Sequence, residues 1–330
     1  GFKINRKVEM LQSEDSEMGL VKSISKGIRG FSKELSQLKP DLIILLGDRF
    51  EIFSAAIAAT ILKIPIAHLH GGETTIGAFD ESFRHSISKM SHLHFTSTEV
   101  SYNRVIQLGE SPDRVFNVGA LGIEKIMTST LLTKSLFEKA IKFKLGQKNL
   151  LITFHPTTLE KLTFENQFQN LLTALSSLDD THLLFTKSNA DIGGSKINQM
   201  IDAFVSKSPS TRIAFKSMGH PLYFSALKFV NGVVGNSSSG LIEVPSFKIG
   251  TVNIGDRQLG RVSPHSVIDC QPEVNEIFQS IQKLYSKKFK ESLINLINPY
   301  FKSNTSENIL KVIKNYPISS ILKKKFHDIL

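Results

Sequence analysis

The sequence predicts an α/β protein built from two doubly wound, Rossmann-like domains that face each other across a cleft. Three observations lead to this prediction. Short apolar runs typical of buried parallel strands recur along the chain, helix-like stretches separate them, and polar residues follow the ends of the runs. A chain of 330 residues with 41% hydrophobic content is also long enough for two domains of ordinary size.

The first predicted element is a long amphipathic helix over residues 17–38. Its apolar residues are spaced by three or four positions and therefore share one helical face: Leu20, Ile24, Ile28, Phe31, Leu35 and Leu38. We expect this face to pack on a sheet.

Four strand-like runs follow the helix and are separated by helical stretches. A parallel pair needs a crossover connection, and residues 49–62 are expected to form that helix between the first two strands. A helical, charged stretch over 123–143 and the segment 144–149 form the expected linker, so the first domain is predicted to span 1–146. The four runs are 43–46, 64–69, 92–96 and 115–118.

A second series of strand-like runs begins at Leu150 and predicts a second domain over 147–305. The remaining segment, 306–330, is helical and basic, and we expect it to cross back onto the first domain. The runs of the second series are 150–154, 183–186, 212–215, 232–234 and 250–254.

Composition restricts the classes of partner. The net charge is +10, but the lysines are scattered on otherwise amphipathic helices and the chain has no Trp, so a nucleic-acid partner is not expected. No apolar segment has the length of a membrane span and no signal peptide is evident, which favours a cytoplasmic protein without membrane contacts. The single cysteine, Cys270, suits a reducing compartment, and its neighbours favour a small core residue over a catalytic thiol.

Ionisable residues follow the first two strand-like runs. They occur in three motifs, namely Gly47-Asp48-Arg49-Phe50-Glu51, His70-Gly71-Gly72-Glu73 and Asp80-Glu81-Ser82-Phe83-Arg84-His85. Because ligands bind at the carboxyl edge of an open α/β sheet, we expect these groups to line one crevice. Taken singly, Asp48 and Asp80 fit equally well as caps of the helices that follow them.

Polar groups also follow four strand-like runs of the second domain, at His155, Asn189, the turn 235–240 and Arg257. The turn leads into a predicted helix, whose amides and dipole suit an anion such as a diphosphate. Its serines fit a structural helix start as well. Glu243 favours a nucleotide site because ribose hydroxyls donate well to a carboxylate, and His155 fits either a core histidine or a ligand contact.

No cofactor and no metal are expected. The chain lacks the Gly-x-Gly-x-x-Gly dinucleotide loop and the Gly-Lys-Ser/Thr phosphate loop. His68 with His70, and His92 with His94, are spaced two apart and share a strand face, which is compatible with a metal. A metal site needs three or more convergent ligands, so core packing is the favoured role of His68 and His92.

The three motifs of the first half, together with Gly235-Asn236-Ser237-Ser238-Ser239-Gly240 and Asn253-Ile254-Gly255-Asp256-Arg257-Gln258, resemble those of the hydrolysing UDP-N-acetylglucosamine 2-epimerases, in the same order along nearly the whole chain. The resemblance implies the two-domain GT-B type of fold and a homodimer. It also implies a UDP-sugar substrate that water converts to UDP and N-acetylmannosamine, for sialic acid synthesis. Related enzymes act on UDP- or GDP-N,N'-diacetylbacillosamine, in the pathway to legionaminic acid.

The resemblance also implies roles for two sets of residues. An amino-terminal strand-helix unit of the family is expected to be missing before Gly1. The catalytic set is Asp48, His70, Glu73, Asp80, Glu81 and Arg84. The UDP-binding set is Arg49, His155, Asn189, Ser217, Ser237, Ser238, Glu243 and Arg257, with Ser217 near the uracil.

The expected reaction removes the C2 proton, eliminates UDP to leave a glycal and then adds water. A base and a different acid are required, and their assignment among Asp48, Asp80, Glu81 and His70 stays open. Two rival functions also stay open, a GT-B glycosyltransferase and a non-catalytic nucleotide-sugar binding module. The carboxylate cluster favours the epimerase, and release of free UDP without an acceptor separates it from both rivals.

Overall fold

The computed structural model describes residues 3–12, 14–157, 163–189 and 192–329. The chain divides into two compact units. Unit 1 comprises Gly1–Thr75, Phe79–Glu124 and Tyr300–Leu330, and unit 2 comprises Ile76–Ala78 and Lys125–Pro299. Each unit contains a parallel sheet with helices, so the predicted α/β fold with two Rossmann-like domains of the GT-B type is confirmed.

Unit 1 contains a four-stranded parallel sheet with the order β1-β2-β3-β4. Helices alternate with its strands, as the sequence predicts. The chain passes into unit 2 within the helix that follows the fourth strand. In chain order the elements are α1 (Glu17–Leu38), β1 (Ile43–Leu46), α2 (Phe50–Ile61), β2 (Ile66–Leu69), α3 (Asp80–Met90), β3 (Leu93–Thr96), α4 (Glu99–Gln107), β4 (Val115–Asn117) and α5 (Leu121–Thr128).

Helix α1 has the bounds that its apolar periodicity predicts. The Ser16 side chain caps its first turn by accepting a hydrogen bond from the amide of Gly19 at 3.1 Å. The buried residues of the helix, however, are the small Gly19, Ser23 and Gly27 together with Leu35. Leu38, at the end of the predicted apolar face, remains 44% exposed. A Cβ at Gly27 would stand 3.0 Å from Ser54 of α2, so close helix contact requires small residues beside the predicted apolar face.

Strand β1 is less buried than the sequence predicts. Leu45 packs in a core with Ile66 of β2 and Leu35 of α1, but Ile44 and Leu46 are both 52% exposed. Alternate residues of a strand point to opposite faces, and β1 is the terminal strand of the sheet order. A run of apolar residues does not indicate which face of the strand is covered by other elements.

Unit 2 contains a six-stranded parallel sheet with the order β10-β9-β8-β5-β6-β7. Strand β10 is the one that the sequence analysis missed. In chain order the elements are α6 (Lys134–Ile141), β5 (Lys148–Thr153), α7 (Phe164–Ser176), β6 (Thr181–Thr186), α8 (Gly194–Ser206), β7 (Arg212–Phe215), α9 (Gly219–Phe229), β8 (Gly232–Gly235), α10 (Ser239–Ile242), β9 (Gly250–Ile254), β10 (Val267–Cys270), α11 (Val274–Tyr285) and α12 (Lys287–Ser292).

Both faces of the six-stranded sheet are covered by separate hydrophobic cores. Ile152 and Phe185 lie in one core, with residues of α7, α8 and α11, while Leu151 and Leu184 lie in the other, with residues of α6 and α9. Neighbouring residues of one strand thus alternate between the two cores, as a doubly wound sheet requires. Cys270 packs against the first core, and burial raises the pKa of its thiol to about 11.

Residues 125–146, which the sequence analysis assigned to the first domain, pack in unit 2. Phe137 and Ile141 of α6 lie in the core that contains Leu151 and Leu184. The sequence of an amphipathic helix does not indicate which sheet the helix packs on. The predicted domain boundary at residue 146 therefore lies later in the chain than the observed one, which falls after Glu124. The predicted helical stretch 123–143 is also interrupted, and Thr133 caps the second piece.

The chain ends on unit 1. Helix α13 (Thr305–Asn315) places Ile309 in a core with Leu69 and Phe95. The predicted helix over 306–330 stops much earlier, because the residue before Pro317 disfavours helical geometry. Among the described residues, no helix is both long and apolar enough to cross a membrane.

Candidate active site

The first strand end of unit 1 places Asp48 beside a buried arginine. Gly47 turns the chain after β1 with a φ of +84°, and the Asp48 carboxylate forms an ion pair with the Arg84 guanidinium. The Arg84 side chain is 2% exposed, whereas that of Asp48 is 18% exposed. The structure assigns the N-cap position of α2 to Arg49, so Asp48 pairs with Arg84 rather than acting as the predicted helix cap.

Arg84 connects the segment after β1, the segment after β2 and the loop that precedes α3. Besides Asp48, its guanidinium donates to the carbonyl oxygen of His70 at 3.0 Å and to the Thr75 hydroxyl at 3.3 Å. A planar guanidinium carries five N–H donors in a fixed fork, which suits it to this task. It therefore fixes the segments after β1 and β2 relative to α3.

His70 follows β2 in a left-handed backbone conformation, with a φ of +63°. Its Nδ1 lies 2.9 Å from Oε1 of Glu73, and the Ser97 hydroxyl donates to the same oxygen at 2.7 Å. Glu73 is 4% exposed, so two hydrogen bonds hold a buried carboxylate against the imidazole ring. A non-glycine residue with positive φ is uncommon and clusters at functional sites.

Helix α3 begins with two acids. Glu81 accepts a hydrogen bond from the Thr75 amide at 2.5 Å and contacts Nε2 of His85 at 3.0 Å. Burial alone would raise the pKa of Glu81, but these hydrogen bonds outweigh it and lower the pKa. Asp80 is half-buried at the first helical position, where a negative charge complements the helix dipole, and the N-cap is Phe79.

Of the histidines spaced two apart, His68, His92 and His94 are buried in the described structure, whereas His70 lies at the site beside Glu73. His68 is fully buried between the Gly47 carbonyl oxygen, 2.8 Å from Nε2, and the Ser88 hydroxyl, and burial lowers its pKa to about 3. His92 accepts the Ile66 amide hydrogen, and burial lowers its pKa to about 4. No group of three or more His, Cys, Asp or Glu side chains within the described ranges is arranged to hold a metal ion.

Unit 2 contains a cavity of about 480 Å³ at the carboxyl ends of β5 and β6 and the amino-terminal parts of α9 and α10. The sequence-predicted residues that line it are His155, Asn189, Ser217, Ser237 and Glu243. Ser238 is the N-cap residue of α10, and Arg257 follows β9. Arg49 belongs to unit 1, where its guanidinium contacts the Glu51 carboxylate at 3.2 Å.

Buried hydrogen bonds fix the strand ends around this cavity. The side chain of Asn236 accepts the His155 amide hydrogen and donates to the His155 carbonyl oxygen, both at 2.8 Å. The Asn236 carbonyl oxygen in turn accepts from Arg257 at 3.2 Å and from Gln258 at 2.8 Å. The turn after β8 therefore links the segments that follow β5 and β9.

The anion site predicted at the start of α10 is weaker than expected. The helix has only four residues, and the amides of Ser239 and Gly240 already donate to Ser237. The helix dipole acts through aligned peptide groups, so a helix this short contributes little. Glu243 lies just after this helix rather than one turn inside it, and it is half-buried at the cavity.

A family model described as UDP-N-acetylglucosamine 2-epimerase matches residues 1–314. The chain belongs to the UDP-N-acetylglucosamine 2-epimerase family. A Campylobacter jejuni relative named GDP/UDP-N,N'-diacetylbacillosamine 2-epimerase (hydrolyzing) is 42% identical, over 99% of this chain and 85% of the relative. An Escherichia coli relative named polysialic acid biosynthesis protein P7 is 41% identical, over 99% of this chain and 84% of the relative.

A solved member of the epimerase family has the same fold. The crystal structure of UDP-GlcNAc 2-epimerase from Neisseria meningitidis bound to UDP-GlcNAc matches with a TM-score of 0.75 and 21% identity, over 92% of this chain and 84% of that one. With the named relatives, the family membership makes this chain an enzyme of the hydrolysing nucleotide-sugar 2-epimerase type.

In this epimerase, several residues that the sequence did not indicate lie beside Glu73 or line the unit 2 cavity. Ser97 follows β3 directly, so the strand-end rule that indicated His70 would also have indicated it. Tyr223 lines the unit 2 cavity and hydrogen-bonds to Ser239, and burial raises the pKa of its phenol. Lys216 also lines the cavity and follows β7 directly, so the same rule would have indicated it. His220 lines the cavity too, but nothing in its sequence context distinguishes it from a surface residue.

Proposed function

We propose that the protein is a hydrolysing 2-epimerase whose substrate is UDP-N,N'-diacetylbacillosamine. The observation that carries this choice is the relative at 42% identity, which is named for that sugar, linked to GDP or UDP. Sequence motifs alone favoured UDP-N-acetylglucosamine, because the motifs report the shared nucleotide and the shared 2-acetamido group. They do not report the substituents at C4 and C6, which distinguish the two sugars.

UDP-N-acetylglucosamine is the second candidate substrate. The family carries the name of that sugar nucleotide, and a relative at 41% identity is named for polysialic acid biosynthesis. Both candidates undergo the same reaction at C1 and C2. The proposal therefore concerns one chemistry and two sugars, and kcat/KM for each sugar ranks them.

In the proposed mechanism, residues of unit 2 hold the nucleotide. His155, Ser237, Ser238 and Arg257 supply hydrogen-bond donors or positive charge for the diphosphate, as electrostatic stabilisation of a leaving group requires. Glu243 accepts hydrogen bonds from the ribose hydroxyls. Two further contacts, from Asn189 and from Ser217 beside the uracil, complete the unit 2 set, and Arg49 of unit 1 adds a charge for the diphosphate.

Residues of unit 1 move the protons in this mechanism. The C2 proton is removed while the bond between C1 and the UDP oxygen breaks, which leaves UDP and a glycal with a C1–C2 double bond. Water then adds its hydroxyl to C1 while a proton reaches C2 from the opposite face. The products are UDP and a free sugar with inverted C2, so the base and the proton donor must be different groups.

The geometry of unit 1 supports two proton-transfer centres. One is His70, whose Nδ1 contacts Glu73 at 2.9 Å, so that Nε2 is the ring nitrogen directed to a substrate proton. The other comprises Asp48, Asp80 and Glu81, with the Arg84 guanidinium paired to the carboxylate of Asp48. We propose that each centre serves one of the two faces of C2.

The experiment that tests the function measures release of UDP from each sugar nucleotide without any added acceptor. We expect UDP to form in equimolar amount with a free sugar, and the diacetamido substrate to give the higher kcat/KM. Release of UDP that requires an added acceptor would indicate a glycosyltransferase. Binding of UDP without turnover of either sugar would indicate a binding module.

We further propose a cytoplasmic homodimer. Nucleotide sugars of this kind are made in the cytoplasm, and the family resemblance implies two subunits. Light scattering after size-exclusion chromatography tests the second point, with an expected mass of twice 36.7 kDa for the chain. A mass of one chain would contradict it.

A further inference from the structure

Unit 1 contains a cluster of charged and polar side chains around a buried carboxylate, apart from the proposed catalytic residues. It consists of Glu110, Lys89, His94 and Lys324, and we call it the Glu110 cluster. Glu110 is 1% exposed. Its carboxylate lies 2.6 Å from Lys89 Nζ, 3.1 Å from His94 Nε2 and 2.8 Å from Lys324 Nζ. Burial alone would raise the pKa of Glu110, but hydrogen bonds from His94, Lys324 and Lys89 lower it to about 2.

Lys324 also closes the carboxyl-terminal end of α3. Its ammonium donates to the carbonyl oxygens of Lys89 at 2.6 Å and of Ser91 at 2.7 Å. With the Glu110 carboxylate, these two oxygens account for the three N–H donors of the side chain. The last carbonyls of a helix lack partners within it, and a positive charge there favours the helix dipole.

The segment that carries Lys324 is fixed on both sides. Before it, Arg114 donates to the Ile321 carbonyl oxygen at 3.0 Å. After it, the His327 amide donates to the Gly109 carbonyl oxygen at 2.9 Å. Lys324 is therefore held at α3 by the backbone of its own segment, although that segment has no regular secondary structure at this point.

The other end of α3 carries Asp80 and Glu81, and Arg84 follows one turn later. A helix of 11 residues is a stiff rod of about 16 Å, so a shift at one end is transmitted to the other. Glu81 and Arg84 hold hydrogen bonds at 2.5 Å and 3.0 Å to Thr75 and His70, and such bonds tolerate little displacement.

We propose that Lys324 is a positioning residue for the epimerase reaction: it fixes the carboxyl-terminal end of α3 and thereby the placement of Glu81 and Arg84. The inference rests on the proposed function, because a shift of α3 costs activity only if its acids take part in the chemistry. Lys324 lies far along the chain from every motif of the sequence, and its role follows from the contacts alone.

The test compares Lys324→Met with Lys325→Met, a matched loss of one ammonium at an exposed neighbour. Misplacement of catalytic groups by about 1 Å can cost a hundredfold in rate, and we expect kcat of Lys324→Met to fall about tenfold to a hundredfold. We expect KM and the affinity for UDP to change less than about twofold, because the nucleotide is held by unit 2 in the proposed mechanism. Lys325→Met should match the wild type, and Lys324→Arg, which keeps a charged donor, should recover most of kcat.

Two results would overturn the proposal. One is an unchanged kcat in folded Lys324→Met, and the other is an equal loss of kcat and UDP affinity, which indicates a general structural defect. If Lys324→Met does not fold, Lys324→Gln replaces it, with the same split between kcat and KM expected.

Hydrogen exchange separates this proposal from the proposed function. Amides in the last turn of α3 should exchange faster in Lys324→Met than in Lys325→Met, and equal exchange would overturn the placement of α3 by Lys324. An inactive wild type would instead remove the proposed function, while the exchange result would still decide whether Lys324 fixes the helix.

Discussion

At the scale of single residues, unit 1 combines a buried cation with acids that remain partly accessible. Arg84 is 2% exposed, and a guanidinium so deeply buried requires a paired charge, which Asp48 provides. The strand-end rule indicated both residues from the sequence. It did not indicate that they pair, because they lie 36 positions apart. The ion pair depends on how α2, β2 and the segment before α3 are arranged between them.

The first prediction concerns Asp48→Asn. The change removes a carboxylate from the proposed proton-transfer set, and we expect kcat to fall about a hundredfold or more. Release of UDP from the preferred sugar nucleotide is the measurement. Asp41→Asn is the control, because Asp41 is exposed before β1 and should leave kcat unchanged. A normal kcat in Asp48→Asn would remove that residue from the catalytic set.

The second prediction, also at the residue scale, concerns Glu243→Gln. If Glu243 accepts the ribose hydroxyls, the neutral amide should weaken UDP binding about tenfold, or about 1.4 kcal/mol. Isothermal titration calorimetry with UDP measures it. Glu276→Gln, at an exposed position of α11, is the control. Equal affinities for the two variants would mean that Glu243 does not contact the ribose.

At the scale of elements, the turn after β2 depends on one glycine. Gly72 has a φ of +74°, and a Cβ there would stand 2.3 Å from the backbone oxygen of Ser101. Gly47, after β1, has a φ of +84° but no atom within 4 Å of such a Cβ. The two turns therefore share a backbone conformation and differ in the space available.

The third prediction compares Gly47→Ala with Gly72→Ala. Gly47→Ala should lower the free energy of unfolding by about 1 kcal/mol, the cost of a left-handed alanine. Gly72→Ala should lower it by about 3 kcal/mol, because a steric overlap with rigid backbone is added. It should also reduce kcat, since Glu73 is the next residue. Urea unfolding measures both variants, and similar losses would contradict the contact described at Gly72.

The fourth prediction concerns the Glu110 cluster and pH. Glu110 has a pKa of about 2 in the folded protein and an ordinary value of 4.5. Its lowered pKa stabilises the fold above pH 4.5, and this contribution is lost as the pH falls towards 2. Glu110→Gln should therefore be less stable than the wild type by about 2 kcal/mol at pH 7, and this difference should shrink to well under about 1 kcal/mol at pH 2.5. Parallel stability curves for the two proteins would contradict this.

The sequence predicted most elements because their signals are local. The steps of three and four over 17–38 predicted α1 with its observed bounds, and the apolar run 43–46 predicted β1. Strand β10 was missed because its four residues include the polar Asp269, which leaves only Val267 and Ile268 as a continuous apolar run. The end of α13 was predicted too late because a basic, helix-compatible composition outweighed the single signal of Pro317.

At the scale of the whole molecule, the predicted functional residues fall into two groups that follow the two units. The acids and His70 belong to unit 1, whereas seven of the eight predicted nucleotide contacts, all except Arg49, belong to unit 2. The sequence predicted this grouping, but it did not predict where the units divide. Packing of Phe137 and Ile141 decided that boundary, and such packing depends on contacts between residues distant in the chain.

The proposed reaction eliminates UDP from the sugar nucleotide and then adds water to the glycal. Proton NMR of the reaction in deuterated water tests it most directly, with UDP-N,N'-diacetylbacillosamine and UDP-N-acetylglucosamine as substrates. We expect free UDP and a 2-epimerised sugar that carries deuterium at C2, because the proton added to the glycal comes from solvent. A released sugar that keeps its original configuration and its C2 proton would rule out elimination, since it would indicate simple hydrolysis at C1.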